Sequence, residues 1–263
     1  MKKTLQISNG IALVFTIVMN YLSNTGVFNG NTMKTVSDNY HNYFTPAGYA
    51  FSIWGLIYLG LLGFVFYTGS SLFKKQADTR NDEDNIVIKI GWWFVISCLG
   101  NSFWVVAWLY NYIGISIIIM LIVLFSLLKI IWNTRMELDF HPLKKYLFIF
   151  WPFAIYTGWI SVALIANIAA WLTKIHWNGW GISEIGWTII MIVAAGLINV
   201  LMVWKRNLRE YALAGIWALI AIAVENKNGV QSIVYVCYII AVIIFISITI
   251  SGFKNRKSSL SDM

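Results

Sequence analysis

Residues Tyr43 to Gly60 read YFTPAGYAFSIWGLIYLG. A Thr-Pro-Ala-Gly turn leads into an apolar run that continues through LLGFVFYTG to Gly69 without one charged side chain. Proline is tolerated ahead of a helix because its missing N–H has no partner to lose there, so a helix is predicted over residues 47–69. About 20 apolar residues in a helix cross the hydrocarbon of a bilayer. This run carries Trp54 and Tyr58 where aliphatic side chains would suffice, and those two rings raise the question of function.

Seven further runs share this length and composition: residues 8–24, 90–110, 113–132, 147–172, 184–204, 209–225 and 232–253. The run 209–225 is the shortest. The 263-residue chain is 59% hydrophobic and 11% charged, with a mean hydropathy of +0.70. Soluble domains are about 25% charged, so composition alone places the chain in the membrane class. None of the runs alternates apolar and polar residues as barrel strands do. The predicted fold is therefore all-α, a polytopic membrane helix bundle of eight transmembrane helices whose first partner is the lipid bilayer.

The formal net charge of +8 is explained by topology. With the N-terminus in the cytoplasm, 16 of the 19 lysines and arginines fall in inner segments, leaving Lys34, Lys174 and Lys227 outside. Basic residues gather on the cytoplasmic side of membrane proteins, and removing one internal span would invert the later clusters. Both termini are predicted to be cytoplasmic. The basic excess is not a nucleic-acid footprint. The two N-terminal lysines and the short apolar core after them also resemble a secretory signal, but no small-x-small cleavage site follows and the run is expected to be retained as a span.

Every acid lies in a loop or at a helix end. Ion-coupled carriers bury an ionisable group on the coupling path, and none is visible here. Cys98 and Cys237 fall inside spans without metal or redox spacing, and are expected to be small buried apolar residues. His41, His141 and His176 lie in loops. The sequence shows no nucleophile–base pair and no metal cluster, so no catalytic residue, metal ligand or cofactor is assigned. Two connections stand out: a long outer segment, 25–46, with the length of a lid, and a charged cytoplasmic linker, KKQADTRNDEDN, at 74–85. The Asn111–Tyr112 connection is so short that its flanking helices should be antiparallel neighbours.

Fourteen tryptophans are present. Trp92, Trp93, Trp132, Trp151 and Trp204 suit an inner interfacial belt, and Trp171, Trp177, Trp180 and Trp187 an outer one. Trp54, Trp104, Trp159 and Trp217 sit deeper, where an indole N–H needs a partner. Helical spacing groups Phe51, Trp54 and Tyr58 on one face, Asn101, Trp104 and Trp108 on a second, and Tyr156, Trp159, Asn167 and Trp171 on a third. Two readings fit these residues equally well: the wall of a shared pocket, or a helix-packing core joined by Asn and Trp hydrogen bonds.

At these residues the chain resembles the TspO/MBR family, the tryptophan-rich sensory proteins of bacteria and translocator proteins of mitochondria. The resemblance rests on the Pro46-Ala47-Gly48-Tyr49 turn with Trp54 and Tyr58, on Asn101 and Trp104, and on Trp159, Asn167 and Trp171. It covers about residues 8–173 and implies a five-helix bundle, 1–173, with an extramembrane lid at 25–46. Residues 174–263 would form a three-helix membrane extension. It also implies a pocket for a flat hydrophobic ligand, porphyrin-like, lined by Trp54, Tyr58, Asn101, Trp104, Trp108, Tyr156, Trp159 and Asn167. A sensory receptor in a bacterial cytoplasmic membrane is the expected role, with a facilitative transporter without ion coupling as the alternative. The chain departs from the family at Tyr49, where tryptophan is usual, and IANIAAWLTK lacks the tyrosine of a sterol motif. Small residues on the fifth span, including Gly158 and Ala163, permit close packing within the chain or in a homodimer.

The charge asymmetry makes a direct prediction. A fluorescent protein fused after residue 263 should mature in the cytoplasm, and a cysteine placed at Asn31 should react with a membrane-impermeant maleimide added outside. The reverse pattern would reject this orientation.

Overall fold

The computed structural model describes residues 1–73, 82–139 and 141–261. The linker expected at 74–85 lies outside them through residue 81. Among the described residues every regular element is helical. In chain order these are α1 (Lys2–Leu22), α2 (Met33–Asn39), α3 (Ile53–Gly69), α4 (Asp82–Ile90), α5 (Trp93–Leu109), α6 (Ile113–Asn133), α7 (Leu143–Lys145), α8 (Trp151–Lys174), α9 (Glu184–Arg206), α10 (Arg209–Glu225) and α11 (Gln231–Ser261). A 3-10 turn, Gly48–Ser52, leads into α3, and a π-helical turn, Tyr146–Phe150, joins α7 to α8.

Among the described residues six helical segments are long and apolar enough to cross a membrane: Lys2–Leu22, Gly48–Leu72, Ile113–Asn133, Leu143–Lys174, Glu184–Arg206 and Gln231–Lys254. The other two expected spans, α5 and α10, have 17 residues each. Both are rich in buried side chains, so the helices around them, rather than lipid, cover much of their surface. The third expected span, 90–110, also differs in its boundary. Helix α4 stops at Ile90, Gly91 takes φ 57°, and α5 starts at Trp93. A left-handed residue cannot continue a right-handed helix, and glycine adopts that conformation without steric cost.

The helices divide into two compact units. The first comprises residues 1–40 and 52–153. Within it α5 and α6 form the expected antiparallel hairpin. Asn111 turns the chain at φ 60°, Tyr112 N–H donates to the Ala107 carbonyl at 2.8 Å, and Gly100 lies against Val123. Helix α1 runs in the same sense as α5, because Thr16 meets Cys98 and Asn20 meets Asn101, and opposite to α3, because Gln6 meets Thr68 and Gly10 faces Val65. Phe64, Phe94 and Phe153 pack edge to face with centroids 5.0–5.6 Å apart. Pro152 brings no N–H for the Phe148 carbonyl, and the π-helical turn just before it widens the helix at that point. A Cβ at Gly60 would stand 3.0 Å from the Pro152 ring, so glycine is what admits the proline.

The second unit comprises residues 41–51 and 154–263. Helices α9, α10 and α11 pack on one another, and α8 meets α10 where a Cβ at Gly158 would collide with the Tyr211 carbonyl. A Cβ at Gly215 would likewise collide with the Asn199 carboxamide. The small residues of the fifth span thus serve packing within the chain at this point. Segment 41–51 is tied to α10 and to the residue that follows it: Ala47 N–H donates to the Ala221 carbonyl at 3.0 Å, and Asn226 Nδ2 donates to the Tyr43 carbonyl at 3.0 Å. Trp217 Nε1 donates to the Ala50 carbonyl at 3.1 Å, which is the partner its depth required. Cys98 and Cys237 are buried free thiols.

The two glycine contacts predict that Gly158→Ala and Gly215→Ala each destabilise by about 1–3 kcal/mol through overpacking. Gly55, whose Cβ would meet nothing within 4 Å, is the control. Thermal unfolding in detergent should show lower midpoints for the first two and no loss for Gly55→Ala.

Candidate ligand-binding site

In the first unit four of the expected site residues come together. Trp54 stacks on Tyr58, one turn along α3, with ring centroids 5.5 Å apart and planes 18° apart. Trp104 lies 6.4 Å from Trp54, and Trp108 stacks on Trp104 at 6.1 Å and 26°. The sequence Tyr58–Trp54–Trp104–Trp108 is thus a continuous slab of offset π-faces, within the 4.5–7 Å range such pairs favour. Trp54, Trp104 and Trp108 are buried and Tyr58 is half-buried.

Helix α5 is held in the rotation that aims these indoles by polar contacts with α1. Asn20 Nδ2 donates to Asn101 Oδ1 at 2.7 Å, and Thr16 Oγ1 donates to the Cys98 carbonyl at 3.0 Å. Ser102 adds a bond to Thr16 Oγ1 at 3.4 Å. Asn20, Thr16 and Asn101 are all buried. Two donors on this face of α5 are left over. Asn101 Nδ2 and Trp108 Nε1 are buried without an acceptor among the described residues. They stand two turns apart, about 10 Å of helical rise. A buried donor without an acceptor costs about 1–3 kcal/mol, so an acceptor arriving on a ligand would be favoured there.

The remaining expected residues belong to the second unit. Tyr156, Trp159 and Asn167 are buried on α8, and Trp159 meets Phe51 edge to face at 6.5 Å. The expected lid, 25–46, contains α2. Asn31 Nδ2 donates to the Leu109 carbonyl at 2.8 Å and so caps the end of α5, while Met33 and Val36 of α2 are buried. His41 Nε2 lies 3.3 Å from Glu225 Oε1.

A sequence model of the family described as TSPO-like protein matches residues 6–250 of this chain. The chain belongs to the TSPO-like family. With its six long apolar helices, it is a multi-pass integral membrane protein. The match continues beyond residue 173 and includes α9, α10 and most of α11. No curated protein and no solved structure matches the chain.

Sequence reasoning missed one feature. In the second unit a cleft of about 430 Å³ opens among Asn42 and Tyr43, the last turns of α8, the connection after it and the start of α9. Trp177 and Trp187, assigned above to the outer belt, line it. The Asn178-Gly179-Trp180-Gly181 turn was the available signal, since paired glycines around a bulky residue mark unusual backbone.

The α1–α5 contacts make a testable cycle. Asn20→Leu should cost about 1–3 kcal/mol because it strands Asn101 Oδ1, and the double variant Asn20→Leu, Asn101→Leu should recover part of that loss. Unfolding midpoints of the two single variants and the double variant measure the coupling. Strict additivity would mean that the contact holds nothing.

Proposed function

We propose that this protein is a membrane receptor for a flat hydrophobic ligand bearing hydrogen-bond acceptors, most simply a porphyrin or another tetrapyrrole, with a sensory or regulatory role. The observation that carries this reading is the π-slab of Tyr58, Trp54, Trp104 and Trp108, with two unanswered donors, Asn101 Nδ2 and Trp108 Nε1, on the same helix face. A macrocycle offers a broad π-face to the slab and peripheral carboxylates to the donors. Membership of the TSPO-like family supports the same reading. The proposal covers the first-unit residues, with the charge pattern favouring eight spans, cytoplasmic termini and residence in a bacterial cytoplasmic membrane.

Dead-end binding and passage through the membrane are separable. In detergent, protoporphyrin IX should quench the tryptophan fluorescence saturably, and Trp54→Ala with Trp104→Ala should weaken binding by about tenfold. Quenching that fails to saturate, or that survives the double variant unchanged, rejects the receptor reading. Protoporphyrin flux across protein-bearing liposomes would move the assignment to a facilitative transporter.

A further inference from the structure

The second unit's cleft has a chemistry of its own. Its volume of about 430 Å³ lies in the range of small-molecule sites. Among the lining residues Glu184 supplies a carboxylate and His176 an imidazole, and there is no lysine or arginine. Tyr43, Trp177 and Trp187 give it aromatic walls, and Leu172, Ile182 and Met191 give it an apolar portion. Ala169 and Thr188 in its lining are 5% and 3% exposed.

The walls are held in place before any ligand arrives. Gly179, Trp180 and Gly181 take φ of 68°, 49° and 82°, three consecutive left-handed residues. That turn brings the Gly179 carbonyl to Trp187 Nε1, which donates to it at 2.7 Å. Trp177 then packs on Trp187 with centroids 5.0 Å apart. A non-glycine residue at positive φ persists only where its surroundings compensate, and here the compensation is the indole pair it positions. Trp187 spends its N–H on the backbone, so what remains for a ligand is ring surface. The positive end of α9 is already answered by Ser183, whose hydroxyl accepts from Gly186 N–H at 3.1 Å, and by the Glu184 charge in its first turn.

A carboxylate beside electron-rich rings, with no lysine or arginine in the lining and the His176 imidazole as its one basic group, selects for positive charge. From this cleft we infer a binding site for an organic ammonium with a short apolar tail, its head near Glu184 and the rings, its tail along Leu172 and Met191. Such a head belongs equally to a free amine or quaternary ammonium and to a choline or ethanolamine lipid. An anionic porphyrin is unsuited to it, so this site is independent of the one on α3 and α5.

Calorimetric titration of the full-length protein in dodecyl maltoside tests the inference. Hexyltrimethylammonium should bind saturably, and hexanesulfonate, with the same tail and the opposite charge, should not. Glu184→Gln should weaken the cation by about fivefold, the scale of a solvent-exposed ion pair, and Glu184→Asp should keep most of the affinity. Equal binding of the two probes, or an affinity for the cation that Glu184→Gln leaves unchanged, overturns the inference. If Glu184→Gln loses its thermal transition, the probe pair decides alone. Weaker probe binding in phosphatidylcholine nanodiscs than in maltoside upholds the site with a lipid headgroup as occupant. Equal binding upholds it with a free organic cation.

Discussion

A polar side chain inside a membrane helix bundle has no water to turn to, so its partner must come from another helix or from its own backbone. The seam between α1 and α5 meets this demand with the Asn20–Asn101 and Thr16–Cys98 contacts. These bonds do more than satisfy amides and hydroxyls. They fix the rotation of α5 about its axis, and residues three and seven positions after Asn101 are then obliged to share its face. Trp104 and Trp108 therefore come to rest beside Trp54, and the aromatic slab follows from hydrogen bonds made one helix away.

Glycine performs the complementary task of letting backbones approach. Gly60 admits the Pro152 ring, Gly100 admits Val123, and Gly158 and Gly215 admit the Tyr211 carbonyl and the Asn199 side chain. Without a hydrophobic difference between lipid and leucine, such close packing and the polar contacts beside it hold helices together in a bilayer. The segment 41–51 obeys the same rule. Its carbonyls at Tyr43 and Ala50 are taken by Asn226, just past the end of α10, and by Trp217 of α10, which satisfies backbone groups that no regular α-helix answers.

Much of the fold was legible in advance, because hydropathy and helical period are local properties. Helices occur at all eight expected runs, and among the described residues six are long enough by themselves to cross a bilayer. The third run concealed a break, since the single glycine at 91 looks ordinary within an apolar stretch and acts only through its positive φ. For the candidate site, spacing put Trp54 with Tyr58 and Asn101 with Trp104 and Trp108, and the rings of the Trp54–Tyr58 and Trp104–Trp108 pairs stack. It left open whether these rings would pack on one another. They do, as a slab, and the two unanswered donors on α5 were beyond its reach because partner choice depends on neighbouring helices. The cleft beside Trp187 was hidden for a different reason. Its lining is drawn from residues 42–43 and 169–191, and its tryptophans fit an interfacial belt equally well.

By itself the sequence determined a bundle of membrane-crossing helices, a strongly asymmetric charge distribution, and faces of aromatic and amide residues within particular spans. These depend on the identity of side chains and on the 3.6-residue repeat, which no neighbour can alter. Tertiary structure alone decided which carboxamide meets which, how four rings stack, and how three left-handed residues carry Gly179 to Trp187. Those outcomes depend on the rotation and approach of whole helices, set by contacts between residues far apart in the chain.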